Sequence, residues 1–209
     1  MNHWDLIAAE RRALADLIDG LTDEQLRTPS LCGKWTVKDV AAHVMVGPTS
    51  SAKDLMVALV KARGSFDGAS EQLVVWRASM SPAEVAATLR DHADSHFTPP
   101  TMDWHAPLTD ILVHREDIVV PLGLPSDRPA DPWQHSLDFL VTRRARRSFV
   151  PGQLPDLTYA ATDLEWSHGS GPVVSGPAAA LGAVMCGRAA VLDRLSGPGA
   201  STLAAWLRR

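Results

Sequence analysis

The sequence predicts a mainly α-helical protein, with a helical bundle over residues 1–150 and a small α+β domain over residues 151–209. Two observations predict this fold class. Before residue 150, apolar residues recur mostly at helical spacing, whereas Leu157, Tyr159 and Ala161 alternate with polar or small residues, as in a strand. In addition, 45% of the 209 residues are hydrophobic, which is enough for a substantial core.

Helix start and stop signals define the N-terminal segments. Apolar residues at helical spacing over residues 4–20 predict a first helix that ends at Gly20. Thr22 begins a capping-box pattern for one short helical turn, and Thr36 begins a second such pattern for the next helix. The apolar face of that next helix, on which a histidine also lies, comprises Val37, Val40, Ala41, His43 and Val44.

The middle of the bundle is less regular. Helical character resumes after residues 47–48 and continues to about residue 63, and residues 64–70 form a break. The periodicity of residues 73–80 fits either a strand or a helix. A serine cap at Ser81, with proline and glutamate following it, predicts a helix to about His96.

The remaining elements follow the same logic. A helix around residues 110–118 is expected to stop at Pro121 and Gly123. Another helix begins at residues 131–132 and reaches about residue 147. The last domain is then predicted as a strand over 157–161, a turn over 166–172, a second strand from 173, an alanine-rich helix over 177–186 and a short final segment after 199.

Charge and cysteine content exclude several classes of protein. Twenty Lys and Arg against 24 Asp and Glu give a net charge of −4, which argues against a nucleic-acid partner. Two cysteines far apart do not suggest a disulfide scaffold. The first dozen residues carry acids and arginines instead of the apolar run of a secretory signal, and no run of about 18 apolar residues occurs. We therefore expect a cytoplasmic monomer or homodimer without a membrane partner.

The segment 103–123 carries the most informative polar pattern. Asp110 and His114 stand four residues apart and Asp117 follows three later, so a helix places all three on one face. Branched apolar residues flank this stripe, as expected for a helix that carries polar groups into a bundle interior. A buried carboxylate beside a buried imidazole costs several kcal/mol unless it is paired or bound to an ion.

His43, Asp110 and His114 therefore form a candidate metal-ligand set. Two imidazoles and one carboxylate leave a coordination position for water, thiol or substrate, which is typical of a catalytic site. The residues alone leave an alternative open. His43 could instead be a core histidine bonded to a backbone carbonyl, with Asp110 and His114 forming a buried hydrogen-bonded pair.

Two motifs resemble a known family. The run SLCGKWTVKDVAAH over residues 30–43 and the run DILVHREDIVVPLG over residues 110–123 are similar to the mycothiol-dependent maleylpyruvate isomerase family. That family belongs to the DinB-like superfamily of metal-binding four-helix bundles. The segment ATDLEWSHGSGP, with GPAAAL and CGR after it, resembles the family's small, sterol-carrier-like C-terminal domain.

The resemblance implies a chemistry for these residues. It implies a divalent metal, zinc by the family's usage, held by His43, Asp110 and His114, with mycothiol as the thiol cosubstrate. The family's acid is commonly glutamate, so the shorter Asp110 requires the ion to shift or the helix to approach more closely. The family also uses an arginine of its C-terminal domain near the active site, and Arg188 is the candidate for this catalytic role.

The expected function is a metal-dependent, thiol-using isomerase or S-transferase that acts on small electrophilic substrates. The alternative from another class is a metal- or small-ligand-binding bundle without enzymatic activity. Asp117 either orients His114 or forms a salt bridge with a base such as Arg115. Cys32 is either a reactive thiol near the site or a small loop hydrophobe, and His168 either bonds locally or lines the cleft.

Overall fold

The computed structural model describes residues 2–50, 57–58, 60–63, 68, 73 and 80–208. The predicted helix up to residue 63, the break at 64–70 and the ambiguous segment 73–80 fall largely outside these residues. Packing divides the chain into two compact units, Met1–Gly123 and Leu124–Arg209. The boundary predicted at residue 150 falls inside the second unit, so the division into folding domains at that residue stays a prediction.

The first unit is helical throughout its described elements. It contains α1 (His3–Asp19), α2 (Asp23–Arg27), α3 (Val37–Val44), α4 (Val46–Thr49), α5 (Pro82–Asp91) and α6 (His105–Val119). Helix α1 packs against α5 and α6, and α3 packs against the same two helices. These four helices form the bundle, which confirms the predicted fold class for this part of the chain.

Capping boxes begin the helices where the sequence predicts them. Thr22, Thr36 and Ser81 each accept a bond from the backbone three residues on, and the side chain there bonds back to the cap. At α3, the carboxylate of Asp39 accepts from the Thr36 N–H at 2.9 Å. Because this box fixes the start of α3, it also fixes His43, which lies about two turns further along the helix.

Helix α5 is shorter than predicted. It ends at Asp91, whereas the sequence suggested a helix to about His96. The guanidinium of Arg11, on α1, donates to the carbonyl of Ala93 at 2.8 Å and to that of Ser95 at 2.6 Å. The Arg11 side chain therefore satisfies two carbonyls just beyond the end of α5, and the pattern within α5 could not indicate this long-range contact.

The second unit combines helices with a small sheet, which confirms the predicted α+β character. Its elements are α7 (Asp131–Leu140), a 3₁₀ turn (Ala145–Arg147), β1 (Thr158–Ala161), β2 (Ser167–His168), β3 (Val173–Gly176), α8 (Ala178–Met185), a 3₁₀ segment (Ala189–Arg194) and α9 (Ala200–Leu207). The strand order is β2-β1-β3, with β1 antiparallel to β2 and parallel to β3. Strand β2 lies within the segment predicted as a turn only.

Helix α7 also ends earlier than the predicted residue 147. The hydroxyl of Thr142 donates to the Phe139 carbonyl at 2.7 Å, and Ala145 N–H donates to the Thr142 hydroxyl at 3.4 Å. A threonine side chain that bonds the local backbone competes with the helical pattern, so the chain turns here. On the other side of α7, Trp133 packs against Gly182 of α8.

No helix in the described part of the chain is long and apolar enough to cross a lipid bilayer.

Candidate metal centre

Helix α6 carries three of the polar residues that the sequence singled out. Its side chains are mostly buried, including the flanking apolar residues Ile111, Val113 and Ile118. Along the polar stripe, the exposed fraction of the side chain falls from 37% at Asp110 to 10% at His114 and 0% at Asp117. The stripe therefore runs from a partly open end into the interior of the first unit.

Helix α3 brings His43 to the same place. The Oδ1 atom of Asp110 lies 3.6 Å from Nε2 of His43 and 3.5 Å from Nε2 of His114. The two imidazole rings meet edge to face, with their centroids 4.6 Å apart. One ligand atom from each of the three residues lies within 4.8 Å of the others. The structure thus brings together all three residues of the predicted ligand set.

These separations bear on the two interpretations left open by the sequence. At 3.5 and 3.6 Å, the nitrogen–oxygen distances exceed those of good hydrogen bonds, which are about 2.7–3.2 Å. A tetrahedral ion with bonds of about 2.0–2.2 Å holds neighbouring ligand atoms roughly 3.3–3.6 Å apart. The geometry around Asp110 is therefore compatible with a shared ion, and metal binding by these three residues stays a prediction.

The second nitrogen of His114 has its own partner. Nδ1 of His114 lies 2.8 Å from Oδ2 of Asp117, whose side chain is fully buried. With Nδ1–H donating to this carboxylate, the lone pair of His114 is on Nε2, the atom that faces Asp110. The orienting contact that the sequence offered as one alternative for Asp117 is therefore present.

The charges of His43, Asp110 and His114 change one another's pKa values. Burial lowers the pKa of His43, and the positive charge of His114 lowers it further. Burial would also lower the pKa of His114, but Asp110 and Asp117 outweigh it and raise that pKa to about 9. For Asp110, burial would raise the pKa, yet the charge of His114 holds it well below its usual range. The lowered pKa of His43 and the raised pKa of His114 therefore favour a single positive charge on this pair of imidazoles, carried by His114.

The donor set suits a borderline divalent ion. Two imidazole nitrogens and one carboxylate oxygen are ligands found in catalytic zinc sites, which keep a further position for a non-protein ligand. The side chain of Asp110 is partly exposed, so solvent reaches this side of the group. The residues present thus fit a zinc-like ion, with His43, Asp110 and His114 as the groups that would hold it.

A compact loop packs one wall of the site. The ring of Trp35 contacts that of His43, with centroids 4.8 Å apart. Ser30 N–H and the Ser30 hydroxyl both donate to the carbonyl of Trp35, at 2.9 and 2.7 Å. The loop is tied to α6 by Leu31 N–H, which donates to the backbone carbonyl of Asp117 at 3.3 Å. The SLCGKW segment therefore belongs structurally to the site.

Cys32 lies close to the site, which its position in the sequence does not indicate. Its sulfur, a ring nitrogen of His114 and a carboxylate oxygen of Asp117 lie within 4.8 Å of one another. The thiol is partly exposed, whereas the other two residues are buried. The sequence alone allows two roles for this cysteine, a reactive thiol or a packing residue. Its position results from a loop-to-helix contact that no local pattern indicates.

The other candidates lie in the second unit. Arg188 follows α8, is partly buried, and its Nη1 donates to the carbonyl of Cys186 at 2.7 Å. His168 is exposed on β2, with its ring nearly parallel to that of Trp166 at a centroid distance of 6.4 Å. This placement agrees with the local structural role for His168, and a catalytic role for Arg188 stays a prediction.

Comparisons with known proteins indicate a family and a similar fold. The family model of the mycothiol maleylpyruvate isomerase N-terminal domain matches residues 7–119, which is more than half of the chain and includes all three candidate ligands. Two crystal structures of a mycothiol-dependent maleylpyruvate isomerase, one of a histidine-to-alanine mutant, are similar to the whole chain. They have 16% and 15% identity, TM-scores of 0.54 and 0.56, and 96% coverage of both chains in each case. No curated protein sequence matches.

Proposed function

We propose, from the premise that this chain belongs to the mycothiol maleylpyruvate isomerase family, that it is a metal-dependent enzyme that uses a mycothiol-type thiol. Its substrates are small electrophiles, which it isomerises or to which it transfers the thiol. The observation that carries this proposal is the position of Asp110 Oδ1, about equally far from imidazole nitrogens on two different helices. Such an arrangement suits one ion with a free coordination position.

The chain's own residues perform three tasks in this proposal. His43, Asp110 and His114 hold the ion, and Asp117 keeps the lone pair of His114 on Nε2. Trp35 packs against His43 and limits the rotation of its ring. A divalent ion held here would favour the thiolate form of a bound thiol, which is the nucleophilic form.

The proposed isomerisation balances without any redox partner. The thiolate sulfur adds to one carbon of a cis double bond conjugated to a carbonyl, and the displaced electron pair moves to the carbonyl oxygen. The carbon–carbon bond is now single and rotates. The electron pair then returns, the trans double bond forms, and the thiolate leaves unchanged. A transferase would differ only in keeping the carbon–sulfur bond, with a proton taken up at the neighbouring carbon.

The substrate in this proposal is a conjugated dicarboxylate of the maleylpyruvate type. Such an anion needs a cation for recognition, and Arg188 is the proposed residue, by family resemblance. Mycothiol as the cosubstrate and a cytoplasmic location likewise belong to the proposal. The partly exposed edge of the site at Asp110 supports access by ligands of this size.

The test combines metal content with turnover. Wild type, His43→Ala and His114→Ala are purified, their zinc content is measured, and maleylpyruvate isomerisation is followed by ultraviolet absorbance with and without mycothiol. We expect about one ion per chain and thiol-dependent turnover in the wild type, and loss of both in the two variants.

His92→Ala is the matched control, because His92 is exposed at the end of α5 and takes no part in the site. It is expected to keep both metal and turnover. Equal metal content in the wild type and in His114→Ala would overturn the site assignment. Stoichiometric zinc in the wild type without thiol-dependent turnover of any electrophile tested would favour the non-catalytic binding protein.

A further inference from the structure

His114 belongs to two sets of potential ligands at once. The first set consists of His43, Asp110 and His114. The second consists of Cys32, His114 and Asp117, whose donor atoms also lie within 4.8 Å of one another. In this second group, His114 and Asp117 are buried, while Cys32 is partly exposed. The described residues thus contain one thiol, one imidazole and one carboxylate that converge at the junction of a loop and a helix.

The loop that carries Cys32 is held in place by backbone contacts. Cys32 N–H donates to the hydroxyl of Ser30 at 3.1 Å, and Trp35 N–H donates to the carbonyl of Cys32 at 3.1 Å. Gly33 supplies the left-handed turn between them, with φ of 60°. The position of Cys32 beside α6 is therefore fixed by a hydrogen-bonded turn.

The chemistry of the second group differs from that of the first. A thiolate is a soft ligand that selects thiophilic ions, whereas the first group contains only nitrogen and oxygen donors. We propose that Cys32, His114 and Asp117 form a second, alternative metal site, which takes a soft cation such as Cd²⁺ or Cu⁺. Entry is from the side of Cys32, the one member of this group that is partly exposed.

The two sites exclude one another. A neutral imidazole has a single lone pair, and it can face the first group or the second but not both. A soft cation bound through His114 and Asp117 breaks the 2.8 Å hydrogen bond between them and removes His114 from the first group. A thiophilic ion therefore expels the ion of the first site instead of adding to it. This inference does not depend on the proposed reaction, since it concerns only the ligands.

The test uses Cd²⁺ and the ultraviolet charge-transfer band of a cadmium–thiolate bond, which zinc and the nitrogen or oxygen ligands do not give. In His43→Ala, the first site lacks a ligand while the second is complete. We expect this variant to bind one Cd²⁺ per chain with the thiolate band. The double variant His43→Ala/Cys32→Ser is expected to lose the band and at least tenfold in Cd²⁺ affinity, with unchanged circular dichroism.

Cys186→Ser in the His43→Ala background is the matched control, because Cys186 is the other cysteine and lies buried in the second unit. It is expected to keep the band. In the wild type, Cd²⁺ is expected to release bound zinc, with the total staying at one ion per chain. The proposal is overturned if His43→Ala gives no thiolate band, if the band survives Cys32→Ser, or if zinc and thiolate-bound Cd²⁺ occupy one chain together. Cys32→Ser alone keeps the first site whole, so its zinc content separates failure here from failure of the proposed function.

Discussion

Nδ1 of His114 lies 2.8 Å from the carboxylate of Asp117, one turn further along α6, and the Asp117 side chain is inaccessible to solvent. This single hydrogen bond decides which nitrogen of His114 is available to a ligand. It also raises the basicity of the imidazole, because the carboxylate stabilises its charged form. The properties of the site are therefore set partly by a residue that is outside the first ligand set.

Asp117→Asn is expected to weaken zinc binding by about 10–100-fold, since an asparagine amide can donate to Nδ1 and shift the proton to Nε2. Zinc affinity measured by competition with a chromophoric chelator checks this. Asp103→Asn is the matched control. Asp103 makes a similar 2.7 Å contact with His105, outside either ligand group. An equal loss of affinity in both variants would contradict the orienting role.

Zinc binding is expected to release about one proton per ion at pH 7. The pKa of His114 is raised to about 9 in the metal-free protein, so its proton must leave, while the lowered pKa of His43 leaves that ring mostly neutral at this pH. Apparent affinity therefore rises with pH, and its proton-linked part levels off above about pH 9. Calorimetry in buffers of different ionisation enthalpy measures the released protons, and a value near zero at pH 7 would refute the assignment.

Arg11→Gln is expected to destabilise the first unit by about 1–3 kcal/mol, because the buried carbonyl of Ala93 and the partly buried carbonyl of Ser95 lose their donor. The neighbouring Arg12→Gln breaks only an exposed ion pair with Asp94 and should cost less than about 1 kcal/mol. Denaturant unfolding of both variants measures the difference. Similar losses would show that the two guanidinium groups are equivalent, contrary to the contacts described above.

Gly182→Ala is expected to destabilise the second unit by about 1–3 kcal/mol, since an added Cβ would overlap the ring of Trp133. Gly20→Ala is the matched control: a Cβ there meets its nearest atom at 3.6 Å, an ordinary contact, and Gly20 has φ of −85°. Thermal unfolding is the measurement. Unchanged stability of Gly182→Ala would mean that α7 and α8 pack less closely than the structure indicates.

Local signals predicted the fold well where the interactions are local. The capping boxes at Thr36 and Ser81 join residues three apart, so the local sequence alone predicts where α3 and α5 begin. The ends of helices were harder to predict. Beyond the end of α5, the carbonyls of Ala93 and Ser95 are bound by Arg11, which lies about eighty residues away in the chain, and no window around α5 contains that information.

For the candidate site, too, contacts within one helix were predictable and contacts that depend on packing were not. The four-residue spacing of Asp110 and His114 places them together on any helix, and the position of His43 on the apolar face of another helix, together with the resemblance, indicated it as their partner. Whether Asp117 faces His114 or a base depends on packing around α6, so the residues left it open. The approach of Cys32 to α6 depends on how the loop docks, which neither periodicity nor spacing encodes.

The ligands of the first site come from α3 and α6, two segments joined only through the tertiary fold. An ion held by both, as proposed, would act as a removable cross-link, and the free energy of its binding would add to the free energy of unfolding of this part of the chain. Depletion of the ion would then do more than stop the proposed reaction. It would raise the unfolded fraction that proteases clear, so the supply of metal in the cell would set how much of this protein persists.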